Sequence, residues 1–323
     1  MDSNAYQTRH QCKWREGQRS YALLALERCR RDSIIPIFCD TGNEHQAVYD
    51  YLAYLELALD IKITRLKADF TEQIAAKRRF IANDQRIGRD KHGRRIRWSN
   101  KAKRRALGAL YPTGNPFLDL CIWKGRFPSR KAQFCTEELK RNQAVMFQLD
   151  LIDDGHQVIS WQGVRRDESQ NRRNAKKIER LGPNLYAFRP LVDWTALKVF
   201  DYCASHRIQP NPLYLQGMNR VGCMPCINCG KEEIRQIMAR FPEALTEKDE
   251  WERLVSLASK RGFSTFFNKE LHAKNYADRR VHESNRIESV IHWAHTSHGG
   301  RQLDMLSGLI EPSMCSSSYG LCE

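Results

Sequence analysis

The feature that most constrains the fold is an alternation of short apolar runs and helical stretches in the N-terminal half. The run Ile34–Cys39 is short and apolar, which predicts a buried strand, and Tyr21–Arg30 before it predicts a helix. A second helix is predicted at Gln46–Leu59, and further strands at Ile61–Leu66 and Gln157–Trp161. Strands that alternate with helices predict an α/β fold with a parallel, doubly wound sheet.

Polar clusters follow two of these strands. Asp40–His45 comes directly after one strand, and Gly163–Ser169 follows another. In open parallel sheets, ligands bind beyond the carboxyl ends of the strands, so both clusters are candidate binding segments. The chain from Leu191 onward is predicted to be mostly helical, and the tail from about Ser307 to be irregular.

Three cysteines lie in one turn that is flanked by glycine. Cys223, Cys226 and Cys229 are separated by two residues each, a spacing that lets thiolates converge on one centre. The turn predicts a four-iron four-sulfur cluster or a zinc ion. A fourth ligand must come from elsewhere: Cys135 is the first candidate and Cys121 the second. The alternative is a buried, inert thiol cluster.

Composition indicates the compartment. The chain has 323 residues, eleven cysteines and a formal net charge of +15. No apolar run is long enough to span a bilayer, and the first residues do not resemble a signal peptide, so we expect a cytoplasmic protein without a membrane partner. There the clustered cysteines are expected to be reduced and to serve as ligands or redox groups.

Much of the positive charge lies in the segment Lys77–Arg105. Arg94, Arg95 and Arg97 surround an interleaved Trp98. Such a run can neutralise phosphates and stack on a base, which indicates a nucleic-acid partner such as DNA or tRNA. The alternative is a solvated basic helix that keeps the protein soluble.

Several short motifs occur in the order expected of the phosphoadenosine phosphosulfate reductase-like family, which the chain resembles from about Tyr21 to Trp251. That family belongs to the PP-loop ATP pyrophosphatase group and is related to the DNA phosphorothioation sulfurtransferases. The motifs that carry the resemblance are Asp40–Glu44, Phe134–Thr136, Gly163–Ser169, Pro190–Trp194, Asn211–Tyr214 and Gly222–Cys226.

The resemblance implies a Rossmann-like, adenine nucleotide α-hydrolase-like fold. Residues 1–190 would form the adenine-nucleotide domain, with a basic insertion at about 70–110, and residues 191–323 a helical, cysteine-rich region. ATP or phosphoadenylylsulfate would be the nucleotide. Arg165 and Arg166 would bind the oxyanion, because a planar guanidinium donates two parallel hydrogen bonds. The alternative is that they form surface ion pairs with Asp167 or Glu168. The implied nucleotide and anion residues are Asp40, Thr41, Gly42, Glu44, Gly163, Arg165, Arg166 and Ser169.

One family motif is missing. The family opens its nucleotide site with a strand that runs into Ser-Gly-Gly-Lys-Asp-Ser, a loop that cradles phosphate. This chain has Arg15–Ser20 there, and only Gly17 and Ser20 agree, so these two are the remaining candidates. His10–Trp14, just ahead of it, is too polar to predict a buried strand.

The genetic code offers an explanation for the missing loop. Lys13–Ser20 can be written in synonymous codons that, read one base later, encode Ser-Gly-Gly-Lys-Asp-Ser-Val. We hypothesise that residues 1 to about 20 are a frameshifted reading of a phosphate-binding loop. The alternative is a family member that lost the loop and took on a binding role.

Two classes of function follow. The first is an enzyme that acts on an adenylated sulfur compound, or that uses ATP to activate a substrate such as nucleic acid for sulfur transfer, with a redox or sulfur-donor protein as partner. In that class Cys322, near the end of the chain, is a candidate nucleophile. The second is a noncatalytic nucleic-acid-binding or regulatory protein that keeps the fold and the metal site.

Overall fold

The computed structural model of the protein describes residues 8–14, 19–86, 88–89, 91–94, 97–267 and 279–296. The strands are β1 (Thr8–Trp14), β2 (Ile34–Asp40), β3 (Thr64–Lys67), β4 (Gln157–Trp161), β5 (Ile178–Gly182) and β6 (Leu185–Phe188). The helices are α1 (Arg19–Arg28), α2 (Gln46–Leu59), α3 (Thr71–Asn83), α4 (Asn100–Ala109), α5 (Pro116–Lys124), α6 (Phe134–Thr136), α7 (Asn142–Asp153), α8 (Ala196–Ser205), α9 (Pro212–Leu215), α10 (Lys231–Arg240), α11 (Pro242–Ala258), α12 (Arg279–Ser284) and α13 (Ile287–Ala294). A π-helical segment, Glu137–Arg141, joins α6 to α7.

The strands form one sheet in the order β3-β2-β1-β4-β6-β5. All neighbouring pairs are parallel except the edge pair, in which β5 runs antiparallel to β6. The chain adds β2 and β3 on one side of β1 and β4 on the other, so the strand order reverses between β1 and β4. Ligands of open α/β sheets bind at such a switch point. The predicted parallel sheet is confirmed.

Helices cover both faces of the sheet, as a doubly wound fold requires. Successive strand residues point to opposite faces. Accordingly, Ile37 and Cys39 of β2 pack against Ala144 of α7, whereas Phe38 belongs to the same buried cluster as Ala22 of α1.

The first strand corrects a sequence-based expectation. The sequence predicts no buried strand at His10–Trp14, but this segment lies in β1 (Thr8–Trp14), which occupies the centre of the sheet. His10 pairs with Ile34 on one side and with Ile159 on the other. Between two parallel neighbours the backbone N–H and C=O groups of a strand are paired on both edges, and this pairing decides the structure against the local apolar pattern.

The other elements of this half follow the prediction closely. α2 and β4 have the predicted bounds, and α1 begins two residues earlier than predicted. The predicted strand at 61–66 is shorter and shifted, as β3. In α2, the buried residues Val48, Leu52, Leu55 and Leu59 recur every three or four positions, which places them on one face.

Parts of the basic segment pack on the core. Trp98 is only 7% exposed and belongs to the main hydrophobic cluster. The Arg105 guanidinium donates to the carbonyls of Leu257 and Ser259 at the end of α11. The prediction that Trp98 stacks on a base is therefore corrected, because its ring is buried in the hydrophobic core.

The arginines around Trp98 differ in position. Arg94 and Arg97 are exposed, as a phosphate contact requires, and Arg95 lies outside the described residues.

Within the ranges that the structure describes, no helix is both long and apolar enough to cross a membrane.

Candidate functional site

The carboxyl end of β2 and the segment that follows β4 border a cavity of about 570 Å³, which we call the sheet-edge cavity. It lies where the sequence predicted a ligand site. Its wall combines thiols, cations and carboxylates, which are Cys39, Cys135, Cys223, Cys226, Lys140, Arg165, Arg172, Arg220, Glu44 and Glu168.

The loop after β2 is held by its own polar side chains. The Thr41 hydroxyl and backbone N–H both donate to the Glu44 carboxylate, at 2.7 and 3.1 Å. Asp40 Oδ1 accepts from the Gly42 N–H at 2.9 Å and from the Tyr49 hydroxyl at 2.8 Å. Thr41 and Glu44 line the cavity, whereas Asp40 and Gly42 shape the loop from outside it.

Gly42 is needed for the close approach of this loop to α5. Its φ is +72°, and a Cβ there would come within 2.8 Å of Pro116 Cδ and 2.9 Å of Asn115 Oδ1. The Asn115 side chain caps α5 by accepting from the Leu118 N–H and also donates to the Gly42 carbonyl. The loop is thereby attached to the first turn of α5.

The cysteine turn is attached to the same loop. Met224 N donates to the Asn43 carbonyl at 2.8 Å, and the Asn43 side-chain amide donates to the Pro225 carbonyl at 2.9 Å. Glu44 and Cys223 form an isolated antiparallel bridge. These contacts place Cys223 directly beside the β2 loop, although the two are far apart in sequence.

The surroundings of Cys223 are polar. Its sulfur lies 3.6 Å from Lys140 Nζ, 3.7 Å from Thr41 Oγ1 and 3.7 Å from Glu44 Oε1. Burial raises the pKa of the Cys223 thiol, and the nearby Lys140 ammonium partly opposes that rise. Lys140 is supplied by the π-helical segment that follows Cys135.

The candidate fourth ligands differ in position. Cys135 lines the cavity, and burial, with the neighbouring Cys223 and Cys226, raises its pKa to about 11. Cys121 is fully buried in α5 and is absent from the described cavity wall. Of the two, the structure brings only Cys135 to the wall that Cys223 and Cys226 line.

The described thiols are not arranged as a ready ligand set for a metal. Cys229 Sγ accepts from the Cys226 backbone N–H at 3.2 Å, and burial raises its pKa well above the ordinary value. Among the residues that the structure describes, no three His, Cys, Asp or Glu side chains are placed to hold a metal ion. The structure does not confirm the predicted cluster or zinc ion, which stays a prediction.

The two predicted anion-binding arginines, Arg165 and Arg166, point in different directions. Arg165 lines the cavity, with its side chain 14% exposed and held by Glu168 at 3.3 Å and Asp167 at 3.5 Å. Arg166 bonds instead to the Ala175 carbonyl at 2.8 Å and to Asp193, and the described cavity wall does not include it. The expectation that both face the anion is corrected, because the backbone is extended at Arg165 and enters a 3₁₀ turn at Arg166, so the two side chains point in different directions.

The remaining predicted site residues lie at different depths. Ser169 lines the cavity, and Gly163 is buried. Ser20 is fully buried, and its hydroxyl donates to the Val199 carbonyl at 3.0 Å. It does not reach the cavity, because α1 has already begun at Arg19 and turns Ser20 toward α8. Two further predicted residues lie outside the described ranges, namely Gly17 and Cys322.

Sequence reasoning missed three cations of the wall. Lys140 lies five residues after Cys135, and Arg172 lies seven after Arg165 in the same arginine-rich run. Arg220 lies just before the cysteine turn, with Nε 3.8 Å from Glu233 Oε1. The sequence signal that could have identified these three cations is their closeness to residues that were predicted to form the site.

A largely parallel, doubly wound sheet with a cavity at its switch point defines a protein of the α/β class. Sequence comparison gives the family. The chain belongs to the phosphoadenosine phosphosulfate reductase domain family, which it matches over residues 12–229.

Three similar proteins illustrate the range of relatives. An uncharacterised 37.8 kDa protein of Escherichia phage 186 is 44% identical over 300 residues, covering 89% of this chain and 88% of that protein. The phosphoadenosine 5'-phosphosulfate reductase of Synechocystis sp. is 34% identical over 67 residues, which are 20% of this chain and 26% of the relative. A crystal structure of phosphoadenylyl-sulfate reductase from Candida auris has a TM-score of 0.40 and 14% identity, covering 68% of this chain and 82% of that one.

Proposed function

We propose that the chain binds an adenine nucleotide in the sheet-edge cavity, either one that carries activated sulfate or ATP, and that it acts in sulfur chemistry. The observation that carries the proposal is one wall that combines Arg165 and Arg172 with the thiols of Cys135 and Cys223. Guanidinium groups hold sulfate and phosphate oxygens, and thiols are the groups that accept or transfer sulfur.

The dimensions of the cavity support a ligand of nucleotide size. Its volume of about 570 Å³ lies within the roughly 300–1,000 Å³ of small-molecule sites. Lys140 and Arg220 add positive charge beside the thiols, which would offset the charge of the bound anion.

The predicted cluster or zinc ion enters no step of this proposal. Cys135, Cys223, Cys226 and Cys229 would be its ligands, but their described arrangement does not form a ligand set. The anion-binding role of Arg165 does not depend on a metal.

Titration calorimetry with phosphoadenylylsulfate, adenylylsulfate and ATP tests the proposal. Arg165→Ala should weaken binding about tenfold or more, because a charge-assisted hydrogen bond contributes about 1.5–3 kcal/mol. Arg166→Ala is the matched control, with the same charge change on the adjacent residue, and should bind like the unaltered chain. Equal losses in both variants, or no binding of any nucleotide, would refute the proposal.

A second candidate is a noncatalytic nucleic-acid-binding or regulatory protein, which the departure of Arg15–Ser20 from the phosphate-binding loop favours. Sulfite or pyrophosphate release distinguishes the two, since the second candidate binds nucleotide or nucleic acid without turnover. The first candidate also includes DNA or tRNA as the sulfur acceptor, a redox or sulfur-donor protein as partner, and a cytoplasmic location.

A further inference from the structure

A second cavity of about 700 Å³ lies at the far end of α5, and we call it the basic cavity. Its described wall contains five lysines and arginines and no aspartate or glutamate. The cations are Lys77, Lys124, Arg126, Lys260 and Arg261, and the aromatic residues are Trp98, Trp123, Phe127 and Phe263. By contrast, two glutamates line the sheet-edge cavity.

Two of these cations have no acidic partner among the residues that the structure describes. Among the described residues, no carboxylate lies within 4 Å of the Arg126 or Arg261 guanidinium, and both residues are exposed. Lys124 is shared, because its ammonium is 2.9 Å from Glu138 and 3.7 Å from the centre of the Trp123 ring. The wall therefore offers unneutralised positive charge to an anion.

Lys77 has a structural part in this wall. Its ammonium donates to the carbonyls of Ile122 and Trp123, the last turn of α5, at 3.2 and 2.5 Å. Burial lowers its pKa to about 8. Gly125, with φ +68°, ends α5 here, and a Cβ at that position would come 3.1 Å from Lys77 Nζ. Lys77 thus fixes the helix end that presents Trp123, Lys124 and Arg126.

Aromatic rings stand beside the charges. Trp123 is half-buried and stacks on Phe70, with 5.6 Å between ring centres. Phe263, also half-buried, packs against the His282 ring at 4.8 Å. Aromatic faces beside cations are the combination that binds unpaired nucleic-acid bases together with their phosphates.

Helix α5 connects the two cavities. Phe117, in its first turn, lines the sheet-edge cavity, and Trp123 and Lys124, at its end, line the basic cavity. At 1.5 Å per residue, this separation along the helix axis is roughly 10 Å. A strand held in the basic cavity would therefore lie within a few nucleotides of the sheet-edge cavity.

We infer that the basic cavity binds a nucleotide unit of single-stranded nucleic acid, its phosphate against Arg126 and Arg261 and its base against the half-buried rings of Trp123 and Phe263. A free nucleotide presents the same chemistry. A paired base does not, because its faces are already stacked. The inference does not depend on the sheet-edge cavity having the proposed activity.

The test measures binding of a short, fluorescently labelled oligothymidylate to the full chain, with unlabelled oligothymidylate, thymidine monophosphate and a duplex as competitors. Thymine avoids any adenine site in the sheet-edge cavity. The double variant Arg126→Ala/Arg261→Ala should bind the strand at least tenfold more weakly. Its salt dependence should flatten by about 0.7 in slope, since the one lost phosphate contact removes about 0.7 on single strands.

Lys62→Ala/Arg207→Ala is the matched control, because it removes two exposed cations elsewhere and the same net charge. Phe263→Leu, which keeps the charge, should weaken binding without changing the salt slope. Thermal unfolding of each variant identifies any loss of folding.

The outcomes separate the sources of the ligand. Displacement of the strand by an excess of oligothymidylate but not by thymidine monophosphate supports nucleic acid, and equal displacement by both supports a free nucleotide in the same cavity. Preference for duplex, no binding by the unaltered chain, or equal binding by the double variant and its control would overturn the inference. Nucleotide binding lost in Arg165→Ala remains a separate readout of the sheet-edge cavity.

Discussion

The ammonium nitrogen of Lys140 lies 3.6 Å from the sulfur of Cys223. One residue comes from the π-helical segment before α7, and the other from the cysteine turn. The same ammonium is 3.8 Å from Glu44 Oε1. A cation between a thiol and a carboxylate favours the thiolate, against the effect of burial.

Replacing Lys140 should make Cys223 less reactive. Lys140→Met removes the charge that lowers the pKa of the thiol, so alkylation by iodoacetamide near pH 8 should slow, by about tenfold for each unit that the pKa rises. Mass spectrometry of the Cys223 peptide, on protein treated with a chelator, measures the rate. Lys140→Arg should retain most of the reactivity. An unchanged rate in Lys140→Met would contradict the assignment.

Gly42→Ala should destabilise the β2 loop. The residue has φ +72°, and the added Cβ would come 2.8 Å from Pro116 Cδ. We expect the free energy of unfolding to fall by about 1–2 kcal/mol or more, because the left-handed conformation alone costs that much for a residue with a side chain. Urea denaturation measures the change.

Gly108→Ala is the control for that experiment. Gly108 lies within α4, and a Cβ there meets nothing within 4 Å. Alanine favours the helix over glycine by up to about 1 kcal/mol, so this variant should be more stable than the unaltered chain. A loss of stability in both variants would show that the close packing of Gly42 is not the cause.

Glu252 should make stability depend on pH. It is 3% exposed and accepts from the backbone N–H groups of Phe266 and Ile287, and burial raises its pKa to about 7. Between pH 4.5 and 7 the folded chain keeps a proton that the unfolded chain has released. The free energy of unfolding therefore falls as the pH rises through this window, by up to about 3 kcal/mol.

Glu252→Gln should remove that dependence, because an amide does not titrate in this range. Glu250→Gln, two residues earlier and exposed, should keep it. Denaturation at several pH values compares the three proteins. Parallel pH profiles for the unaltered chain and Glu252→Gln would mean that Glu252 ionises normally.

The metal content tests the spacing of the cysteine turn against its described geometry. From the spacing of Cys223, Cys226 and Cys229 we expect anaerobically purified protein to carry iron and sulfide, or otherwise zinc. Cys226→Ala should abolish binding, and Cys29→Ala, outside the cavity wall, should not. Metal-free, folded protein with freely titrating thiols would show that the geometry, and not the spacing, is the better guide.

Restoring the missing loop should raise nucleotide affinity. Replacing Arg15–Ser20 with Ser-Gly-Gly-Lys-Asp-Ser supplies glycines, whose conformational freedom lets backbone N–H groups converge on a phosphate after β1. ATP binding and pyrophosphate release should rise together. A gene whose codons exclude the shifted reading, or tight ATP turnover by the chain with its present residues 15–20, would refute the frameshift hypothesis.

The sequence by itself determined the elements whose signal is local. The apolar spacing within Gln46–Leu59 gives α2, and the apolar run at Gln157–Trp161 gives β4, with the predicted bounds in both cases. Alternation of such elements gave the parallel sheet, and polar residues after the strands gave the side on which the cavity opens. Each of these signals needs only residues that are close in the chain.

Only the tertiary structure decided which side chains meet. It placed the polar segment Thr8–Trp14 in the centre of the sheet, because the neighbouring strands pair its backbone. It turned Arg165 to the cavity and Arg166 to Asp193, and it buried Trp98 in the core. Such outcomes depend on turns and on packing between segments that are distant in sequence. Local sequence patterns do not encode the side-chain directions that result.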